Sequence, residues 1–272
     1  MNPTSPLALG IVTDEITNDF GEALRHGLSW GIQRYEIRCL TTGRVPRVEA
    51  QELRTVAGLV REHGVRITAL SPGMFKAHLS RTAEIEDELL TVLPATLDLA
   101  ETLSCPLVIV FGFQREEGEP ADRYQRAVEY MRRAAGIAAG SGVRIAIENE
   151  PGFWCDTGVN THRLIRDVGS PALGANWDPC NAYGTDEVPY PAGYEALKGS
   201  IINVHAKDTA VGSLIKCVPI GQGALDWQGQ VRALMVDRPV EHITIETHCQ
   251  PLIESSRHNV EILQKMMHAA AR

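Results

Sequence analysis

No stretch of this sequence approaches the roughly 20 consecutive apolar residues that a membrane-spanning helix needs. The opening segment, MNPTSPLALGIVTDEI, has no basic region ahead of its apolar residues. Those residues, Pro6 to Val12, are too few for a secretory signal. Cysteine is sparse and scattered, at Cys39, Cys105, Cys155, Cys180, Cys217 and Cys249, with no Cys-x-x-Cys pair. That argues against a disulfide framework and a structural zinc site, and points to reduced thiols in a cytoplasmic setting. Positive charge is also short. Lys plus Arg number 26 against 34 Asp plus Glu, a formal net charge of −8. A chain this acidic is a poor general binder of polyanions, so neither a nucleic-acid nor a membrane partner is expected. A local basic pocket for one small anion stays open. Glycine-rich phosphate loops are missing as well: there is no G-x-G-x-x-G and no G-x-x-x-x-G-K-[ST]. Apolar side chain is not lacking. At 44% of residues it suffices to offset the entropy of ordering, which excludes wholesale disorder.

The dominant pattern is alternation. Eight short apolar runs, Leu7–Val12, Arg34–Cys39, Val65–Leu70, Pro106–Phe111, Val143–Glu148, Leu173–Trp177, Ile201–His205 and His242–Thr247, read as strands covered on both faces. Amphipathic stretches separate them: Asp19–Ser29, Val48–His63, Thr82–Leu103, Ala121–Ala139, Asn160–Val168, Ala192–Lys198, Trp227–Met235 and Leu252–Ala270. Asn18 or Asp19 caps the first helix, Gly64 stops the second, and Pro94 kinks or breaks the third. Eight strand–helix units in 272 residues predict one α/β domain, a single (β/α)8 TIM barrel over 1–272. A doubly wound open sheet is the alternative, weakened by the missing phosphate loop.

Function in such a barrel sits at the C-terminal strand ends. There the sequence places Glu36 and Arg38, Glu148 and Glu150, Asp178 and Asn181, His205 and Lys207, and Glu246 and His248. Burying one ionisable group is costly unless it is paired or holds a metal, and so many around one mouth make little sense as packing. Glu148, Asp178, His205 and Glu246 offer three carboxylates and an imidazole. That donor set suits one divalent cation, Mn²⁺ first, with Mg²⁺, Co²⁺ or Zn²⁺ as alternatives.

These residues lie in AIENEPG, NWDPCN, NVHAKD, GQGALDW (Gly221 to Trp227) and TIETH, in this order. With those motifs the chain resembles the xylose isomerase-like TIM barrels of the sugar phosphate isomerase/epimerase group, which includes ketose 3-epimerases, hydroxypyruvate isomerase and inosose dehydratase. The resemblance implies that Glu148, Asp178, His205 and Glu246 hold one metal ion, and that Glu148 and Glu246 also move the proton. A cation on a carbonyl and its neighbouring hydroxyl stabilises an enediolate, and a carboxylate on each face exchanges the proton. The sequence departs from the ketose epimerases at Asn181 and Val211, where those enzymes carry histidine and arginine. The free-ketose substrate is therefore not carried over. Glu150 stands where several relatives have histidine, so it joins Glu148 and Glu246 as a candidate catalytic base.

Glu36, Arg38, Asn181, Lys207 and His248 are the candidate substrate contacts. For Glu36 and Arg38 a salt bridge within the barrel mouth competes with that role. Asp14 and Glu15 read as a helix cap or solvated loop, and Lys76 as a solvated lysine. Phe75, Phe111, Phe113 and Trp154 are read as core before pocket wall. Gly221 and Gly223 serve a tight loop and Asp226 caps the following helix. The expected activity is a metal-dependent isomerase or epimerase of a small sugar or polyol-derived substrate. A lyase removing a β-substituent after the same proton abstraction is the alternative, and a non-catalytic sugar-binding barrel a distant one. The DNA-repair branch of the fold needs histidines at strand ends three and four, which end instead at Ser71 and at Phe111-Gly112-Phe113. A homo-oligomer stays open.

Overall fold

The computed structural model describes residues 7–213 and 216–272; Pro6 lies outside them. Eight parallel strands form a closed barrel: β1 (Ala8–Val12), β2 (Arg34–Ile37), β3 (Arg66–Leu70), β4 (Leu107–Val110), β5 (Arg144–Glu148), β6 (Leu173–Trp177), β7 (Ile201–Ala206) and β8 (His242–Ile245). Each strand pairs with the next in sequence, and β1 pairs with β8 through Gly10 opposite Thr244, which leaves no open edge. All eight strands fall where the apolar runs place them. β4 and β6 are buried at every residue, as strands walled by helices outside and side chains inside must be.

The helices α1 (Phe20–Ser29), α2 (Ala50–His63), α3 (Thr82–Asp87), α4 (Leu93–Thr102), α5 (Ala121–Ala139), α6 (Gly158–Val168), α7 (Pro179–Tyr183), α8 (Tyr194–Leu197), α9 (Trp227–Asp237) and α10 (Leu252–Ala270) complete the chain. Asp19, not Asn18, caps α1 by accepting from the Glu22 N–H at 2.8 Å. Gly64 ends α2 in the left-handed region, at φ 63°. At Pro94 the helix does not break. A wide π turn, Glu88–Val92, precedes it and hands over to α4. The wider turn makes room for a ring that would otherwise clash one turn back, so the chain stays helical. The Ala192–Lys198 helix is shorter than its apolar pattern: a π turn, Pro189–Gly193, takes its start and a 3-10 turn, Lys198–Ser200, its end.

Tyr35 and Trp177 are fully buried beneath the helices. Gly27 is needed there, since a Cβ at that position would collide with the Tyr35 ring. All six cysteines are free thiols. No helix among the described residues is long and apolar enough to cross a membrane.

Candidate metal centre

The strand ends bring Glu148 (β5), Asp178 (after β6), His205 (β7) and Glu246 (after β8) together. One ligand atom from each lies within 4.8 Å of the others, and all four residues are buried. The local sequence explains the aim of each. Asp178 caps α7: its Oδ1 accepts from the N–H groups of Cys180 at 2.8 Å and Asn181 at 3.1 Å, with Pro179 at the first helical position. Its backbone is stapled by Asn149, whose Nδ2 donates to the Asp178 carbonyl and whose Oδ1 accepts from its N–H, both at 2.8 Å. That leaves Oδ2 directed at the centre. It has no hydrogen bond of good geometry, although Lys207 Nζ lies 2.8 Å away as an ion pair.

His205 is oriented from below. Its Nε2 donates to Glu36 Oε2 at 2.8 Å, and Glu36 also accepts from Asn203 and Thr244. Nδ1 is thereby turned toward Glu148 Oε1 and Glu246 Oε2, 3.7 and 3.6 Å away, and makes no hydrogen bond. Glu36 was expected to touch substrate. It is instead 1% exposed, with both oxygens engaged, and serves to position the imidazole. Glu36→Gln is expected to weaken divalent-metal affinity by about 10–100-fold, read by competition with a chromophoric chelator. An unchanged affinity would remove the positioning role.

The charges have physical consequences. Burial and the neighbouring Glu246 and Glu148 raise the Asp178 pKa, against Lys207. Burial disfavours the charged form of His205, but Glu36, Glu148 and Glu246 outweigh it and raise the pKa. Lys207 behaves in the same way between Asp178 and Glu246. Glu246 resists burial because Lys207, His248 and His205 surround it, and its pKa falls well below the ordinary range. Three converging carboxylates with an unpartnered imidazole nitrogen and an under-bonded carboxylate oxygen fit a divalent cation.

Arg38 closes one side. Its Nε donates to Asp14 Oδ2 at 2.8 Å, Nη2 to Glu15 Oε1 at 2.6 Å and Nη1 to Glu246 Oε1 at 2.7 Å. It forms a salt bridge, but not with Glu36. Asp14 and Glu15 are thus neither a cap nor a solvated loop; Glu15 is 2% exposed and also accepts from the His248 N–H at 2.7 Å. His248 Nε2 lies 3.0 Å from Glu246 Oε1.

Above the centre is a cavity of about 320 Å³, at the small end of small-molecule sites. Glu150, Asn181, Lys207 and His248 line it, as does Arg38. Burial and the adjacent Glu148 raise the Glu150 pKa to about 7. Asn181 Nδ2 donates to the Asn149 carbonyl at 2.9 Å. Of the four aromatic residues weighed, Phe111 reaches the cavity, with Lys76 Nζ 3.8 Å from its ring centre, whereas Phe75 and Phe113 are fully buried core. Arg44 is a pocket residue the sequence reading missed. It lies on a short hairpin after β2, where no apolar or motif pattern marks it. The GQGALDW segment is a clamp. Asp208, fully buried, accepts from the N–H groups of Gly221, Gly223 and Leu225, and the Trp227 indole donates to the Lys207 carbonyl at 2.9 Å. Asp226 caps α9 as expected.

The model of the family described as xylose isomerase-like TIM barrel matches residues 25–266. The chain belongs to this family. No curated protein sequence matches it. Among solved structures it is similar to the probable 3-DHS dehydratase AsbF of Bacillus anthracis, at 16% identity and TM-score 0.80, covering 95% of this chain and 99% of that one. It is similar to an L-ribulose 3-epimerase at 16% identity and TM-score 0.79, covering 98% and 96%. It is also similar to the IOLI protein with a binding zinc atom, at 18% identity and TM-score 0.78, covering 97% and 98%. At such identities the likeness is one of fold. Within the xylose isomerase-like barrels, this chain keeps its polar strand ends around one buried centre.

Proposed function

We propose that this barrel is a divalent-metal-dependent isomerase or epimerase of a small sugar or sugar derivative. The observation that carries the reading is the buried quartet itself, four ligand atoms within 4.8 Å with His205 Nδ1 left without a hydrogen bond. Glu148, Asp178, His205 and Glu246 would hold the ion, and Mn²⁺ is the first choice for this oxygen-rich set. When bound, the ion supplies polarisation of a substrate carbonyl and stabilisation of the enediolate charge. The similarity in fold to an epimerase and to a zinc-binding barrel supports the reading.

The chain's own residues do the rest. Glu148 and Glu246 come from different strand ends, those of β5 and β8, with β6 and β7 between them, and each offers a carboxylate oxygen to the centre. One takes the proton α to the carbonyl, and the other, in its protonated form, delivers a different proton to the opposite face. Lys207 and His248 donate to substrate oxygens, and Asn181 helps to fix the sugar backbone. Phe111 excludes water from one wall.

A second reading is favoured by Glu150. With its pKa raised to about 7, roughly half of the molecules carry a proton there at neutral pH, and that proton can pass to a departing hydroxyl. After the same α-proton abstraction, that would make the enzyme a lyase, in keeping with the dehydratase-like fold neighbour.

The test is exchange in D₂O. Protein loaded with Mn²⁺, and in parallel with Mg²⁺, Co²⁺ or Zn²⁺, is offered ketoses, keto-inositols and 3-oxo-glucosides. NMR follows deuterium entering a carbon beside the carbonyl. Metal-dependent exchange is expected. A product of unchanged formula identifies the isomerase, and expelled water or aglycone the lyase. Bound sugar without exchange, with metal in place, would leave a sugar-binding barrel instead.

A further inference from the structure

The cations around the cavity divide into two groups. Arg38 meets three carboxylates, Lys207 lies within 3.0 Å of two, and His248 within 3.3 Å of two. Arg44 and Lys76 make no ion pair with any described residue. The Arg44 guanidinium rests on Ser71 alone, Nε donating to its carbonyl at 3.0 Å and Nη2 to its hydroxyl at 3.2 Å. Lys76 Nζ sits over the Phe111 ring, 3.8 Å from its centre, and feels Glu150 in the same cavity without an ion-pair contact.

The chain also makes room for Arg44. Gly73 has φ +79°, a left-handed conformation, and a Cβ there would come within 2.7 Å of the guanidinium carbon. The guanidinium therefore occupies space that a side chain at position 73 would enter. Burial and the nearby Arg38 both act against its charge, lowering the Arg44 pKa. A half-buried guanidinium with no carboxylate in ion-pair contact, Asp14 and Glu148 acting on it only from a distance, gains most from an anion brought in from outside.

We infer that Arg44 and Lys76 form an oxyanion subsite of the catalytic cavity, and that the substrate is an acidic sugar derivative carrying a carboxylate or phosphate. This rests on the reading of the cavity as a sugar site. It does not depend on which proton is moved. The metal quartet would hold the carbonyl end of the substrate. The acid group would reach across Phe111 to Arg44, whose planar donors match two oxygens, while Lys76 adds a mobile point charge. Metal chemistry leaves both cations unused, and a neutral sugar would leave them unpaired.

The experiment is calorimetric binding at 0.15 M salt to metal-loaded and to chelator-treated protein. Three ligands of one skeleton are compared: D-fructose, D-fructuronate and D-fructose 6-phosphate. At least one acid is expected to bind about tenfold or more tightly than D-fructose, and its identity separates carboxylate from phosphate. In Arg44→Gln and in Lys76→Gln that ratio is expected to fall toward one. Lys76 is exposed, so its variant reports even where loss of Arg44 disturbs folding. Equal affinities for acid and neutral ligands, or a ratio unchanged in Lys76→Gln and in a folded Arg44→Gln, would overturn the proposal. Acid-selective binding without deuterium exchange would keep it while removing the isomerase reading.

Discussion

Glu148→Gln and Glu246→Gln are each expected to slow α-proton exchange by about 10²–10⁴-fold, with the double variant falling little further. Each glutamate would act twice, as a ligand and as a proton carrier, so losing either stops the whole step. The proteins should still fold. When Glu246 loses its charge, Arg38 keeps Asp14 and Glu15, Lys207 keeps Asp178, and His248 keeps Glu15. In Glu148→Gln the carboxamide oxygen can keep one of the two bonds that Glu148 accepts, at Oε2 from Asn176 Nδ2 at 3.2 Å or at Oε1 from Asn181 Nδ2 at 3.4 Å. Exchange by NMR, metal content after dialysis and thermal melting separate the effects. A folded Glu246→Gln with exchange within threefold of the parent would sink the two-carboxylate reading. Glu150→Gln is the informative contrast. If Glu150 is the acid of a lyase, its variant retains exchange and loses product; if it is the base, exchange itself disappears.

Much of this site was legible because it follows from depth-independent rules. Buried parallel strands announce themselves as continuous apolar runs, and the polar residue that ends each run must sit at the barrel mouth. This found Glu148, Asp178, His205 and Glu246 without contact information, and all four converge. The spacing rule could not give depth. Glu36 and Arg38 are two apart and so share a side of the strand, but they lie roughly 6–7 Å apart along it. That distance puts Glu36 under His205 and Arg38 at the rim, with different partners. Asp14 and Glu15 were misread for a related reason. Locally they look like a turn, and only closure of β1 against β2 and β8 brings them to Arg38 and His248. Arg44 was invisible because its role depends on a hairpin and on Gly73, neither of which leaves a periodic trace.

Arg38→Met is expected to destabilise the fold by about 3–5 kcal/mol, the largest single effect on stability in the site. The side chain is 17% exposed and the Asp14, Glu15 and Glu246 side chains 9%, 3% and 6%. Removing the guanidinium strands Asp14 in a poorly solvated place and takes one cation from Glu15, which keeps His248, and from Glu246, which keeps Lys207 and His248; methionine replaces only its volume. For a chain of this size the loss corresponds to a melting shift of roughly 6–20 °C, at about 2–4 °C per kcal/mol. Arg38→Lys should be nearly as damaging, because one ammonium cannot reach three carboxylates in a fixed fork. The pH dependence gives the sign. In the parent, the depressed Glu246 pKa contributes stability that is present above the unfolded value of 4.5 and is lost as pH falls through the lower folded value. In Arg38→Met the Glu246 carboxylate, with one cation fewer beside it, gains a proton more readily than in the parent. The deficit should therefore be greatest at neutral pH and shrink as pH falls through about 4–5. Denaturant unfolding of both proteins at pH 7.5 and pH 4.5 measures it. A deficit below about 1 kcal/mol at neutral pH would mean that Asp14 finds another partner and that His248 and Lys207 suffice for Glu15 and Glu246. A deficit that grows on acidification would mean that the guanidinium acts through packing rather than charge.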